Sequence, residues 1–141
     1  MIKEFRKEYF FLSNFYNRPL VYEGIRYENT ESAFQAQKCM ERRHEFSSLP
    51  PNEGKALGRK VPLRKDWDLV KDDIMYNVVK CKFTQNEDLK QRLLNTGDEE
   101  LQEGNTWYDT YWGVDIHTGR GYNMLGKILM RIREELRSGR K

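Results

Sequence analysis

Between Asp66 and Phe83 apolar residues recur at helical spacing: Trp67, Val70, Ile74, Val78 and Cys81. The pattern predicts an amphipathic helix, capped by Asp66, with one side on a core. Leu125, Ile128, Leu129, Ile132 and Leu136 predict a last helix starting near Asn123. Asn86 can cap a helix carrying Leu89, Leu93 and Leu94, with Gly97 just past its end. Thr30 can cap another from Glu31 to about His44, with Ala33, Phe34, Gln37 and Met40 on its apolar side. Pro50-Pro51 interrupts that run, Asn52 can cap a short helix, and Pro62 ends it. Residues 19–22 (PLVY) and 25–27 (IRY), flanking Glu23-Gly24, read as a small hairpin. Leu101 sits in a short extended piece, and residues 104–122 read as a long loop. The expected class is mostly α (α+β): a single compact helical domain over residues 1–141 with a small N-terminal antiparallel β-hairpin.

Composition narrows the function classes. Hydrophobic residues at 38% and charged residues at 33% describe a globular chain rather than a disordered one. Aromatics at 13% are abundant enough to serve a core and a base-stacking pocket alike. A net charge of +3 fits a phosphate-bearing substrate, but so mild a basic excess is usually just a solvated surface. The densest basic cluster, Arg137, Arg140 and Lys141, reads as a frayed helix end and tail. No apolar run approaches the roughly 20 residues that span a bilayer. Charges at Lys3, Glu4, Arg6, Lys7 and Glu8 break any signal-peptide core, so a cytoplasmic location is expected, without a membrane partner. Cys39, Cys81, His44 and His117 form no metal spacing; neither a metal nor a cofactor is expected.

The chemistry-bearing stretch is ESAFQAQK at residues 31–38. Glu31 and Lys38 are seven residues apart, close to two helical turns, so a helix aims both to one side, with Gln35 between them. Glu31 either complements the helix dipole or stabilises positive charge developing on a sugar carbon. Lys38 is either solvated or, in a dry pocket, an amine able to attack an anomeric carbon and form an imine. Trp67 is either a core anchor or a pocket wall. Trp107, Tyr108, Tyr111 and Trp112 can wall a pocket for a flat base, with Asp109 among them as a general acid or water-orienting group. Gly113 permits close backbone approach. Gly119, Arg120, Gly121 and Asn123 precede a helix N-terminus, where backbone N–H groups can grip phosphate. Arg59, Lys60, Arg64, Lys65 and Arg120 can meet a phosphate as well.

LSNF at Leu12, ESAFQAQK at Glu31, ALGRKVPLRKDWD at Ala56, KFTQN at Lys82, LLNTGD at Leu93, YDTYWG at Tyr108 and NMLGKILMRIREEL at Asn123 come in order over nearly the whole chain. Together they resemble the YbiA-like family, also called NADAR. The resemblance implies a helical fold with a small β part and an N-glycosidase acting on ribosylated amines. Two substrates are implied: ADP-ribosylated guanine in nucleic acid, and phosphoribosylamine intermediates of riboflavin biosynthesis. It places the family's acidic residue on Glu31, its lysine on Lys38, its tryptophan on Trp67 and a second acidic residue on Asp109. It places Asn14, Phe15, Trp112 and Gly113 around ribose and base, and favours Lys38 as a nucleophile. The rival is a module that binds ADP-ribose or nucleic acid without cleaving it. Neither oligomeric state nor protein partner follows from the sequence.

Overall fold

The computed structural model describes residues 1–139, so Arg140 and Lys141 of the expected basic tail lie outside the described residues. The fold is mostly helical with a small antiparallel hairpin. Two compact units make up the chain, one of residues 14–85 and one of residues 1–13 with those from 86 onward.

The first unit opens with the hairpin, β1 (Asn17–Tyr22) and β2 (Ile25–Asn29). Their pairing closes at Tyr22 and Ile25, with an irregularity between Asn17 and Leu20. Glu23 and Gly24 both have positive φ, 48° and 82°, which gives a two-residue turn the twist that paired strands require. Leu20 and Tyr27 point into the core. Helix α1 (Thr30–Ala36) follows directly. Its cap is Asn29, one residue before the expected Thr30: Asn29 Oδ1 accepts from the Ser32 N–H at 2.7 Å. Every residue of α1 is buried, so no single apolar side exists.

Helix α1 stops at Ala36, far short of His44. Gln37 turns its side chain back and donates Nε2 to the Ala33 carbonyl at 2.9 Å, taking the acceptor its own N–H needs to continue an α-helix. The chain tightens, with the Lys38 N–H reaching Gln35 O at 3.1 Å, and continues as a 3-10 helix, Met40–Phe46. Helix α2 (Pro51–Gly58) begins with proline in its first turn rather than an Asn52 cap. Its Gly54 and Gly58 lie against Ser32 and Gln35 of α1, where any Cβ would collide. Helix α3 (Trp67–Gln85) buries Trp67, Ile74, Met75, Val78, Val79, Lys82 and Phe83. Val70 and Cys81 are only half-buried, so the stripe runs to one side of the expected one.

The second unit holds a 3-10 turn, Lys7–Leu12, and α4 (Glu87–Leu94), with Gly97 at φ 63° just past its end. Leu101 bridges to Ile2 in parallel. Residues 104–122 are less free than a loop: β3 (Gly104–Asn105) pairs in parallel with β4 (Val114–Asp115). Helix α5 (Met124–Arg137) buries Leu125, Ile128, Leu129, Ile132 and Leu136 as its periodicity predicts. Among the described residues, no helix is long and apolar enough to cross a membrane.

Candidate active site

In the first unit the N-terminus of α1 is built by the segment before β1. The Asn14 carbonyl accepts the Glu31 N–H at 3.1 Å, supplying a partner to an amide that the helix leaves unpaired. The Asn14 side chain is buried and donates Nδ2 to Met75 Sδ at 3.4 Å, fixing the strand entry to α3. Glu31 is buried, 9% exposed, with Gln35 Nε2 donating to its Oε2 at 2.7 Å. Such a bond holds the carboxylate at one angle. The other amide atom, Gln35 Oε1, is buried without a hydrogen-bond partner and faces Gly58. An unsatisfied buried carbonyl costs about 1–3 kcal/mol, so Gln35 is held there by packing.

Lys38 is not on the helix, since α1 ends before it. The tight turn at Gln37 carries it instead. A strap from residues 64–67 holds that turn. The Arg64 N–H donates to the Lys38 carbonyl at 3.0 Å, and Arg64 Nη1 donates to the Gln37 carbonyl at 3.4 Å. Arg64 is itself gripped by both carboxylate oxygens of Asp66 at 2.7 and 3.1 Å, which removes it from the free cations expected to meet phosphate. The strap ends on Trp67, buried against Phe34 with ring centroids 5.1 Å apart. Lys38 Nζ sits 5.7 Å from the centre of a Trp67 ring. Core anchor and wall of the lysine's surroundings are therefore one role.

Burial lowers the proton affinity of Lys38 below that of an ordinary lysine; Glu31 pulls it back up, and Arg59 and Lys55 lower it further. The four groups are thus electrostatic neighbours. Asn14, Phe15, Glu31, Gln35, Lys38, Arg59 and Trp67, singled out from the sequence, all fall in this unit. Lys55 was not among them; its ammonium lies 5.8 Å from the Phe15 ring centre. Gly54 and Gly58, four apart in PNEGKALG, were the legible sign that α2 presses on α1.

Asp109, Trp112, Gly113, Arg120 and Asn123 belong to the other unit, where most of them hold one another. Asp109 Oδ1 accepts the N–H groups of Tyr111 and Trp112 at 3.1 and 2.9 Å, a side-chain turn. Asn105 brackets that turn, donating to Asp109 O at 2.9 Å and accepting its N–H at 3.1 Å. This keeps Tyr108 at φ 66° and pointing outward. Trp107 and Tyr108 are 58% and 86% exposed, so within this unit they do not wall a base pocket. Tyr111 packs edge-on against Trp112 at 4.9 Å.

The expected phosphate grip before α5 is overturned. The N–H groups of Asn123, Met124 and Leu125 already donate to the carbonyls of Gly113, Tyr111 and Trp112 at 3.1, 3.1 and 2.9 Å. The buried Asn123 side chain donates to Leu101 O at 2.9 Å and accepts the Glu103 N–H at 3.0 Å. Arg120 is exposed. Of the basic tail, Arg137 pairs with Asp98 and Glu134 at 3.0 and 3.1 Å.

Known proteins resemble this chain in sequence and in fold. The chain is 38% identical over 129 residues to N-glycosidase YbiA of Escherichia coli strain K12, covering 88% of this chain and 79% of that one. It is 38% identical over 134 residues to an N-glycosidase of Nostoc punctiforme, covering 89% and 85%. A riboflavin biosynthesis protein of Vibrio vulnificus is 37% identical over 131 residues, covering 89% of this chain and 35% of that longer protein. The solution NMR structure of E. coli YbiA superposes with a TM-score of 0.85 at 33% identity, over 99% of this chain and 88% of the other. The NADAR domain matches residues 2–137, and this chain therefore belongs to the NADAR family.

Proposed function

We propose that this chain is an N-glycosidase that breaks the bond between ribose C1 and a base or amine nitrogen. The observation that carries the reading is a buried, oriented carboxylate electrostatically coupled to a half-buried amine whose proton affinity is lowered and which lies over an indole. In this reading the C1–N bond breaks with its electron pair going to nitrogen, which takes a proton from water. Glu31 stabilises the positive charge that grows on C1. The neutral Lys38 amine captures C1, the ribose ring opens to an imine, and water hydrolyses it, returning the amine. Each of the two groups contributes roughly 10²- to 10⁴-fold to the rate.

The preferred substrate is ADP-ribosylated guanine in nucleic acid. A second reading, a phosphoribosylamine intermediate of riboflavin synthesis, is favoured by the relatives named for riboflavin biosynthesis. One assay decides both: base release from ADP-ribosylated guanosine and from the ribosylamine phosphate, side by side, with cyanoborohydride present. The expected result is release from one of them and a reduced covalent adduct on Lys38 that is lost in Lys38→Ala. Turnover without any adduct refutes the imine step. Binding without release by the wild type turns the protein into a reader.

A further inference from the structure

The last residues of α3, Lys82, Phe83 and Gln85 of the KFTQN motif, contribute no group to the proposed chemistry. Gln85 commits both polar atoms of its amide to one residue of β1. Its Oε1 accepts the Val21 N–H at 2.7 Å, and its Nε2 donates to the Val21 carbonyl at 2.8 Å. In a hairpin that closes at Tyr22 and Ile25, these two groups of Val21 point away from β2, to the free edge. Gln85 thus pairs with β1 as a third strand would. Two more residues of α3 hold the chain just before β1. Met75 Sδ accepts from Asn14 Nδ2 at 3.4 Å, and the buried Lys82 has its Nζ 5.6 Å from the Tyr16 ring centre. Met75, Lys82 and Gln85 stand seven and three residues apart, which puts them on one side of the helix.

The stretch held in this way, residues 14–21, reaches the first turn of α1 by two routes. The Asn14 carbonyl accepts the Glu31 N–H at 3.1 Å. β1 fixes the register of β2, whose last residue, Asn29, caps α1 through the Ser32 N–H. We propose that Gln85 is a positioning residue for Glu31: it clamps β1 to α3 and, through the hairpin, fixes the first turn of α1. This rests on the N-glycosidase reading and adds to it a residue outside the reacting groups. Gln85 is exposed, so shortening it empties no core and its loss acts through Val21.

The test compares the wild type with Gln85→Ala and with Gln85→Glu, which keeps the acceptor for the Val21 N–H and loses the donor. Base release is followed against pH in each, and in Glu31→Gln with and without Gln85→Ala. Gln85→Ala is expected to lower kcat roughly three- to thirtyfold with little change in KM, and Gln85→Glu by an intermediate amount. A carboxylate that drifts raises the proton affinity of Lys38 less, so the amine limb of the profile should move to lower pH. In the Glu31→Gln background Gln85→Ala should change neither kcat nor the limb, because the group it positions is gone. Amide exchange gives a readout independent of turnover: Gln85→Ala should speed exchange at Glu31 and Ser32 about tenfold and leave α5 unchanged. An equal loss of kcat in both backgrounds, or an unmoved limb, makes Gln85 a support of the fold alone and overturns the proposal. Unchanged exchange at Glu31 and Ser32 overturns it as well. If the wild type releases no base, the glycosidase reading falls separately, and the exchange measurement still decides the clamp.

Discussion

Replacing Lys82 by methionine isolates the energetic burden of one buried amine. Lys82 is fully buried in α3, its Nζ 5.6 Å from the Tyr16 ring centre and 5.1 Å from that of Phe83. Burial, helped by Arg18, lowers its pKa from 10.5 to about 7. Each tenfold in proton affinity is about 1.4 kcal/mol, so the difference bounds the effect at roughly 5 kcal/mol. Below about pH 7 folded and unfolded chains both carry the proton, and the full penalty is present. Between there and the unfolded value only the unfolded chain binds it, and stability climbs by up to about 1.4 kcal/mol per pH unit. Above the unfolded value the penalty is gone. Lys82→Met has no such titration. Urea unfolding of both proteins at about pH 7.5 and about pH 9 should show the variant's relative stability falling by up to about 2 kcal/mol at the higher pH. Comparing the gap at two pH values cancels the contacts that methionine gains or loses. A gap of the same size at both refutes the claim that Lys82 gives up its proton in the folded protein.

If the Lys38 amine attacks, kcat/KM rises with pH along a limb that lies below that of an ordinary lysine. Glu31→Gln should move this limb still lower while cutting kcat roughly 10²- to 10⁴-fold, and Lys55→Met should move it higher; a limb indifferent to both excludes Lys38 as the titrating group. Gly58→Ala drives a Cβ into Gln35 Oε1 and should lose about 1–3 kcal/mol of stability with a drop in kcat, read by urea unfolding and base release; an alanine variant of full stability would show that α2 rides loosely on α1. Asn105→Ala removes the bracket around Asp109 and should release Tyr108 from its left-handed conformation, seen as faster amide exchange over residues 106–112.

Much of the fold was legible because local energies encode it. The hairpin follows from Glu23-Gly24 between apolar residues, and α5 from a stripe whose five leucines and isoleucines are all buried. Glu31, Gln35, Lys38 and Trp67 were legible as a group from spacing and from resemblance. Their arrangement was reached by another route, because Lys38 leaves the helix before its second turn is complete. Local periodicity does not predict that stop. It needs Gln37 folded back on Ala33, and Arg64 arriving from a distant part of the chain to take the freed carbonyls.

The sequence by itself determined the hairpin and the main helices, the residue types available for glycosidic chemistry, and the family, but not the β3–β4 pairing inside the expected loop. Tertiary structure decided where helices end, which carboxylates Arg64 and Arg137 pair with, and that Lys82, a residue ordinarily solvated, lies wholly inside. Periodicity reports the preference of a segment for itself and its solvent. The fate of a charge or of a helix's last carbonyls depends on the groups that a folded chain brings opposite, and those are distant in sequence.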